Sequence, residues 1–302
     1  MITETVTPTG SNAIPATRYV IITPARDEAQ HIEETIKSVL AQTVKPTEWV
    51  IVDDGSTDGT GEIIDRFAAQ HRWITALHRP RSGPRQNASA VMEAFYLGYD
   101  ALKATDWDYL AKLDGDLSFE PNYFERCLDE FRVNLQLGVG GGLIWSVANA
   151  MSKPEPCPLN HVRGATKIYR RGCWSAIGGL LRVPGWDTVD EAKASMLGWK
   201  VQTFRDLKVL HYRPTGSAEG AWRNAVKDGR ADYITGYHPL FMLLKCVKRF
   251  FQRPFVLGSC GLLYGFVGAF LRRAPQVNDV ALIKYVRTQQ LRRLLFLEST
   301  WK

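Results

Sequence analysis

Buried-strand and amphipathic-helix patterns alternate along the first 120 residues. Residues 19–23 and 49–52 are short runs of apolar, largely β-branched side chains, and residues 73–79 and 108–114 repeat the pattern. Pro24 is predicted to end the first strand. Between these runs, apolar residues recur at helical spacing in residues 28–40, 60–70 and 88–103. Strands alternating with helices over short links predict an α/β fold, with a mostly parallel central sheet and helices on both faces.

The pattern becomes less regular after Pro121. Residues 123–133 predict a helix, residues 138–145 predict a strand, and the proline-containing stretch 149–163 predicts a loop. Residues 186–204 predict a helix followed by a strand that ends near His211. We therefore expect the following parts of the chain: a flexible tail at 1–17, an α/β domain at 18–240 with halves 18–120 and 121–240, and a helical segment at 241–302.

The C-terminal segment carries the positive charge of the chain. Residues 241–302 contain eleven Lys/Arg against two acids, a net charge of +9, so the other 240 residues carry −2 of the total of +7. Residues 254–271 are 18 residues without a charge, at the lower edge of the roughly 17–25 that a transmembrane helix needs. The segment therefore predicts contact with a membrane surface rather than with nucleic acid. Spanning, in-plane insertion and a buried hairpin all remain open.

Glycines recur within the uncharged stretch at spacings of three and four. Gly261 and Gly265 form a GxxxG pair, which allows two helices to approach closely. A homo-oligomer contact through this face is a further expectation.

The cysteines and the N-terminus indicate the compartment. Five cysteines are scattered without a CxxC pair or zinc spacing, as expected of reduced thiols. The first residues are polar and contain no apolar signal-peptide region. We therefore expect a cytoplasmic protein, peripheral or integral at the inner face of the cell membrane.

Polar clusters follow three of the predicted strands. They comprise residues 23–28, the sequence Asp53-Asp54-Gly55-Ser56, and the sequence Asp114-Gly115-Asp116. Ligands of open α/β sheets bind beyond the carboxyl ends of the strands, so the three clusters predict one site. Ser56 and its neighbours are also good helix-capping residues, which is the structural alternative for that cluster.

The Asp114-Gly115-Asp116 sequence suits a divalent cation. Mg²⁺ typically takes one or two carboxylates together with substrate phosphates. The glycine between the two acids would let the chain turn tightly. The sequence therefore predicts Mn²⁺ or Mg²⁺ as cofactor.

The order and spacing of these motifs resemble a known family. VIITPARDEAQHIEETIKSVLAQT, EWVIVDDGSTDGT, RPRSGPRQNASAVMEAF and YLAKLDGD are similar to the nucleotide-binding half of the family 2 inverting glycosyltransferases, of the type that builds bacterial polysaccharides and cell envelopes. The resemblance covers residues 18–215 and implies the GT-A fold. It also implies that a nucleoside-diphosphate sugar binds in the half 18–120 and a glycan or lipid-linked acceptor in the half 121–240.

The resemblance also implies roles for individual residues. Asp53 would meet the nucleotide base, Asp114 the ribose, and Asp116 the metal ion that bridges the diphosphate. Asp114 is a second candidate metal ligand. The remaining nucleotide-sugar contacts would come from Pro24, Arg26, Asp27, Glu28, Asp54, Ser56, Arg85 and Gly115.

An inverting transfer also needs a carboxylate base. The family usually has two acids about a dozen residues before a Gly-aromatic pair, and counting back from Gly198-Trp199 reaches Asp187. Asp190, one helical turn later, is the alternative base, and both could instead be acids at a helix N-terminus. His211 could be a further metal or diphosphate contact, or a structural histidine.

Two other functions compete with this interpretation. A nucleotidyltransferase would also use strand-end acids and a metal, but it would need a glycine-rich loop after the first strand, where TPARDEAQ has no glycine. A non-catalytic protein binding nucleic acid or a membrane would use only the basic C-terminal segment. The 18 uncharged residues in that segment suit lipid better than a phosphate backbone.

Overall fold

The computed structural model describes residues 17–80, 88–148, 151–213, 220–252 and 254–301. The predicted N-terminal tail lies outside them except for Thr17. The strands are β1 (Tyr19–Ala25), β2 (Glu48–Asp53), β3 (Ile74–His78), β4 (Tyr109–Leu113), β5 (Leu117–Phe119), β6 (Leu137–Ala148), β7 (Met151–Pro154), β8 (Thr166–Arg170) and β9 (Lys200–His211). The helices are α1 (Ile32–Leu40), α2 (Thr60–Gln70), α3 (Ala88–Asp100), α4 (Tyr123–Val133), α5 (Arg171–Ile177), α6 (Trp186–Met196), α7 (Ala221–Ile234), α8 (Pro239–Phe250), α9 (Phe255–Leu271) and α10 (Val280–Leu294).

The nine described strands form one mixed sheet, in the order β3-β2-β1-β4-β8-β6-β9-β5, with β7 beside β6. β1 pairs in parallel with β2 and β4, and β2 pairs in parallel with β3. This confirms the parallel pairing predicted for the first half. β8 runs antiparallel to both β4 and β6, so the sheet as a whole is mixed rather than mostly parallel. β7 lies within the stretch that the sequence predicts as a loop.

The central strands are buried on both faces, because helices cover each side. Ile21, Trp49 and Ala111 pack with α1, α2 and α4 in one cluster of buried side chains. Val20 and Leu110 point to the opposite face, where they pack with α3 and α5. Side chains alternate between the faces of a strand, so fully apolar runs such as YVII supply both clusters.

The C-terminal helices pack against one another and against α6. Val189 of α6 meets Leu282 and Val286 of α10 in a separate apolar cluster. The boundary predicted at residue 240 falls inside α8. No helix in the described ranges is long and apolar enough to cross a membrane.

The glycine stripe of α9 faces α7 of the same chain. A Cβ at Gly261 would lie 2.8 Å from the Cβ of Ala225, and a Cβ at Gly265 would overlap the carbonyl oxygen of Val226. The homo-oligomer contact predicted through Gly261 and Gly265 is therefore wrong, because α7 already covers this face.

We expect Gly265→Ala to lower the free energy of unfolding by about 1–3 kcal/mol, because the added methyl group meets backbone that cannot move aside without separating α7 from α9. Gly268→Ala is the matched control. A Cβ at Gly268 meets nothing within 4 Å, and alanine favours a helix over glycine by roughly 1 kcal/mol. Chemical denaturation of both variants checks this. Equal stability changes would show that α9 does not depend on close approach to α7.

Candidate active site

The three polar clusters lie at one edge of the sheet. β1 lies between β2 and β4 and is parallel to both, so the carboxyl ends of these strands are neighbours. The register pairs Ala25 with Asp53 at this edge. The sequence prediction that the clusters come together is therefore confirmed at the level of the strand ends.

The loop after β1 is tied to the loop after β2. The backbone N–H of Asp27 donates to Oγ of Ser56 (2.9 Å), and the N–H of Thr57 donates to Oδ1 of Asp27 (3.0 Å). The N–H of Glu28 donates to Oγ1 of Thr60 (2.8 Å). Asp27 has a φ of +50°, so the chain turns sharply here and α1 begins at Ile32 rather than at residue 28 as predicted. The strand itself continues through Pro24 to Ala25, so the prediction that Pro24 ends it was wrong.

Asp53 and Asp54 are buried at the end of β2, where Asp53 meets a histidine and Asp54 an arginine. Oδ2 of Asp53 lies 3.2 Å from Nδ1 of His78, and Nε of Arg79 donates to Oδ1 of Asp54 (2.7 Å). The hydrogen bond to Asp65 raises the pKa of His78, although burial opposes this. The sequence reasoning missed His78 and Arg79. Their signal was a pair of polar residues at the end of an apolar strand, as in the other clusters.

Asp114 and Asp116 lie between β4 and β5 and have different neighbours. Nζ of Lys112 donates to Oδ1 of Asp114 and to the carbonyl of Gly164 (2.8 Å). Burial raises the pKa of Asp114 above its usual value, and the charge of Lys112 opposes that effect. Oδ2 of the buried Asp116 lies 3.3 Å from Nε2 of His211. Lys112 was missed by the sequence reasoning, although a lysine inside an apolar strand was visible.

Position 115 favours glycine because neighbouring side chains leave little room for a Cβ. A Cβ at this position would lie 2.9 Å from Cδ1 of Ile32 and 3.5 Å from Cγ of Glu28. Its backbone is not among the described positive-φ glycines, so the tight turn expected at Gly115 is not the constraint. The close approach brings the loop that bears Asp116 against the start of α1.

Arg213 connects the end of β9 to the loop after β1. Its guanidinium donates to both carboxylate oxygens of Glu28 (2.9 and 2.7 Å) and to the carbonyl of Asp27 (3.1 Å). A bidentate pair of this kind fixes orientation as well as charge. Since His211 lies two residues earlier, this contact holds the Asp116–His211 pair close to the polar loops.

Asp190 belongs to a buried ion cluster. Nζ of Lys167 lies 2.9 Å from Oδ2 of Asp190 and 2.9 Å from Oε1 of Glu191, and all three side chains are at most 1% exposed. The hydroxyl of Tyr169 also donates to Asp190. Removing one member of such a cluster leaves an uncompensated buried charge, so each of these side chains is needed for the stability of the fold.

Asp187 is half-buried at the start of α6, and its carboxylate lies outside that cluster, although its backbone carbonyl accepts a hydrogen bond from Nζ of Lys167 (2.6 Å). A Cβ on Gly164 would lie 3.2 Å from its Oδ2, so the carboxylate borders Gly164. The carbonyl of Gly164 accepts from Lys112, which also holds Asp114. The contact with Gly164 therefore brings Asp187 towards the sheet edge that bears the strand-end acids.

The donor atoms near Asp116 fit a cation that is completed by phosphate. No cluster of three or more metal-ligating side chains occurs in the described part of the chain. Asp116 and His211 nevertheless offer one carboxylate oxygen and one imidazole nitrogen. Nδ1 of His211 is buried and has no hydrogen-bond partner within the described ranges. Burial lowers the pKa of His211, but its hydrogen bond and charge interaction with Asp116 outweigh this and raise it overall. Arg85 lies outside the described residues.

Comparison with known proteins shows what the chain is similar to. Residues 20–149 match the family described as Glycosyl transferase family 2. The chondroitin synthase of Escherichia coli is 33% identical over 120 residues, which is 39% of this chain and 16% of that protein. The matched region thus spans about a sixth of the length of that relative.

Two solved structures share the overall fold. A mannosyltransferase from Pyrobaculum calidifontis, in complex with GDP-Man and Mn²⁺, has a TM-score of 0.53 and 17% identity, covering 92% of this chain and 80% of that one. Residues 1–349 of TarS from S. aureus, in complex with UDP, have a TM-score of 0.52 and 14% identity, covering 93% and 86%. These similarities show the GT-A fold. The match over residues 20–149 makes that part of the chain similar to glycosyl transferase family 2.

Proposed function

We propose that the protein is a metal-dependent inverting glycosyltransferase. It would move a sugar from a UDP- or GDP-linked donor to a glycan or lipid-linked acceptor by a single displacement. The observation that carries the proposal is the meeting of the strand-end acids at one sheet edge, with Asp187 bordering the same edge through Gly164. The GDP-Man and UDP bound by the two structural neighbours support a nucleotide-sugar donor.

The donor would lie across the carboxyl ends of β2, β1 and β4. Asp53 would accept from the nucleotide base, and Asp114 would accept from ribose hydroxyls. Pro24, Arg26, Asp27, Glu28, Asp54, Ser56 and Gly115 would line the pocket, and Arg85 is proposed from the sequence alone. The hydrogen bonds between the loops after β1 and β2 support this assignment, because they hold these residues in one preformed surface.

Asp116 and His211 are the proposed contacts of Mn²⁺ or Mg²⁺, with Asp114 as a second candidate. When bound, the cation would supply positive charge that offsets the diphosphate leaving group. His211 must release its proton to act as a ligand, and its pKa, which the acidic neighbours raise, makes that release pH-dependent. Mn²⁺ binding should therefore be weak for the protein alone and stronger with UDP, because the phosphates supply the missing oxygen ligands.

Asp187 is the proposed base, and Asp190 is the alternative that the contacts disfavour. The acceptor hydroxyl would give its proton to Asp187 while its oxygen attacks the anomeric carbon from the face opposite the diphosphate. The bond between that carbon and the diphosphate then breaks, which inverts the configuration. Asp190 is occupied by Lys167 and Tyr169 in a buried cluster, so it cannot readily reach a substrate.

The C-terminal helices are proposed to contact the cytoplasmic face of a membrane. Phe250, Phe251 and Phe255 are 46%, 75% and 51% exposed around the turn between α8 and α9, beside Lys248 and Arg249. Exposed aromatic side chains flanked by basic residues suit an anionic lipid surface. The five free cysteines are consistent with a reducing compartment.

Incubation with a panel of UDP- and GDP-linked sugars should release the nucleoside diphosphate in the presence of Mn²⁺ or Mg²⁺ and not in the presence of EDTA. Asp116→Asn should lower that release by about 10²-fold or more, because a carboxylate ligand is lost. Asp206→Asn is the matched control, since that acid is 73% exposed and pairs with Arg126. If no donor is turned over with any metal, the proposed function is wrong. Full metal-dependent turnover by Asp116→Asn would instead remove this residue from the metal site.

Asp187→Asn should reduce kcat by about 10²–10⁴-fold without changing donor affinity or the free energy of unfolding, because only the base is lost. Asp190→Asn should instead lower the free energy of unfolding by about 3 kcal/mol, because Lys167 loses a buried counter-charge. Turnover assays, UDP titration and urea denaturation of both variants separate the two roles. Normal turnover by Asp187→Asn with a kinetic defect in a fully folded Asp190→Asn would move the base to Asp190.

The full chain should sediment with anionic phosphatidylglycerol vesicles, and Phe250→Ser/Phe251→Ser should reduce the bound fraction several-fold. The matched control is Val133→Ser/Leu135→Ser, because these apolar residues are 87% and 75% exposed but lie at the end of α4 and just after it. Equal vesicle binding by both double variants would argue against membrane contact through the α8–α9 turn.

A further inference from the structure

A cavity of about 540 Å³ lies among the C-terminal helices, away from the strand-end acids. Side chains of α8 and α10 line it, together with residues from the end of the chain and from the start of α6. Its volume is in the range of pockets that hold small organic ligands. The roles proposed above use two of its lining residues, Lys248 and Arg249, only as basic neighbours of the exposed phenylalanines, and they assign no ligand to the cavity.

One side of the cavity is apolar and well ordered by aromatic packing. Tyr237 and Trp301 meet edge to face with ring centroids 5.3 Å apart, and Phe241 contacts both rings. Leu244 and Phe296 complete this side and are 44% and 98% exposed. The apolar wall therefore continues to the protein surface, where a hydrocarbon chain could leave the cavity.

The other side is cationic. Lys245, Lys248 and Arg249 stand at i, i+3 and i+4 on one face of α8, and Arg293 faces them from α10. Lys245 is neutralised by Asp232 at 2.7 Å. Within the described ranges, neither Lys248 nor Arg249 lies within 4 Å of a carboxylate oxygen.

Asp228 is an acid close enough for the charge of Arg249 to lower its pKa. Burial raises the pKa of Asp228 and so disfavours its charged form. Positive charge on one side of the cavity and apolar side chains on the other favour an anion attached to a hydrocarbon over either a neutral lipid or a free sugar.

The cavity borders the proposed base. Thr188, the residue after Asp187, is part of its lining. His161 also lines it, and its Nδ1 lies 2.8 Å from Oε2 of Glu191 on the same helix. The charge of Asp187 contributes to the raised pKa of Tyr237, after burial and the charge of Asp232.

We propose that this cavity binds a lipid phosphate, with the phosphate held by Lys248 and Arg249 and the hydrocarbon chain lying along Phe241, Leu244 and Trp301. The inference rests on the proposed function and deepens it, because it assigns the acceptor to the class of glycans linked to a lipid through a phosphate or diphosphate, whose sugar hydroxyl Asp187 would deprotonate. Such an acceptor would present its head group beside α6, where Asp187 lies in the first turn of the helix.

Calorimetric titration of the full chain with farnesyl phosphate, below its micelle concentration and without donor, tests the site. We expect saturable binding that is at least about tenfold tighter than that of farnesol or of inorganic phosphate, because each lacks one half of the recognition. Lys248→Gln/Arg249→Gln should weaken binding about tenfold or more. Arg272→Gln/Arg273→Gln removes the same charge at the end of α9, outside the lining, and should leave binding unchanged.

A second pair of variants tests the cavity itself. Leu244→Trp should block farnesyl phosphate binding by filling the apolar side, whereas Leu243→Trp should not, since Leu243 is 52% exposed and does not line the cavity. Equal effects of the two tryptophans would indicate adsorption to the helix surface and overturn the site. Farnesol binding as tightly as farnesyl phosphate would overturn the phosphate contact. Equal losses of farnesyl phosphate affinity in Lys248→Gln/Arg249→Gln and Arg272→Gln/Arg273→Gln would overturn it as well.

The outcome can be separated from that of the proposed function. Nucleotide-sugar turnover depends on Asp116, which lies outside the cavity lining, whereas farnesyl phosphate binding is measured without donor or metal. A chain that releases UDP or GDP from a donor but does not bind farnesyl phosphate would overturn the lipid site alone.

Discussion

The crowding of carboxylates at one sheet edge is the constraint on which the rest of the site depends. Parallel pairing of β1 with β2 and β4 forces their polar ends together, and like charges at short range are costly when they are buried. Each of five acids at this edge faces a cationic or ionisable nitrogen. The pairs are Glu28 with Arg213, Asp53 with His78, Asp54 with Arg79, Asp114 with Lys112, and Asp116 with His211.

These nitrogens differ in how readily they give up their charge. Arginine remains protonated and lysine nearly so, whereas histidine titrates near neutral pH. Asp54, Glu28 and Asp114 therefore have fixed counter-charges. Asp116 faces a histidine that can lose its proton and expose a nitrogen lone pair. In the proposed metal-bound state, a cation with phosphate ligands would take the place of that proton beside Asp116.

Asp190 and Glu191 of α6 are also paired with a cationic side chain, but their pairing lies in the protein interior and not at the sheet edge. Lys167 extends from β8 into the space below α6 and holds Asp190 and Glu191 in a buried cluster. This cluster fixes the helix against the sheet, and Asp187, one helical turn earlier, stays half-buried beside Gly164. A fixed helix with one accessible carboxylate is what a positioned base requires.

Local sequence pattern predicted the elements well but not their distant pairings. The helices at 60–70 and 123–133 begin and end where the pattern predicts, because each has its own apolar face and flanking polar residues. The antiparallel insertion of β8 between β4 and β6 could not be predicted, since no local signal specifies which remote strand will be the neighbour. The strand-end acids could be predicted because each follows an apolar strand directly in the sequence. Lys167 lies in the sequence ATKIYRR, where nothing indicates that it will be buried beside Asp190 and Glu191.

The uncharged stretch at 254–271 shows how one composition serves two physical requirements. Its glycines allow α9 to touch the backbone of α7, so one face that resembled a lipid-embedded interface is protein contact. α9 also exposes Tyr264 and Phe270, each 60% exposed, although both rings contact aromatic rings of α7, and the turn before α9 exposes three phenylalanines. A helix with glycine contacts inside and large apolar side chains outside is anchored in the protein and remains free to face lipid. α8, packed beside it, bears the basic face of the cavity, so a lipid entering from that surface would meet positive charge before it reached α6.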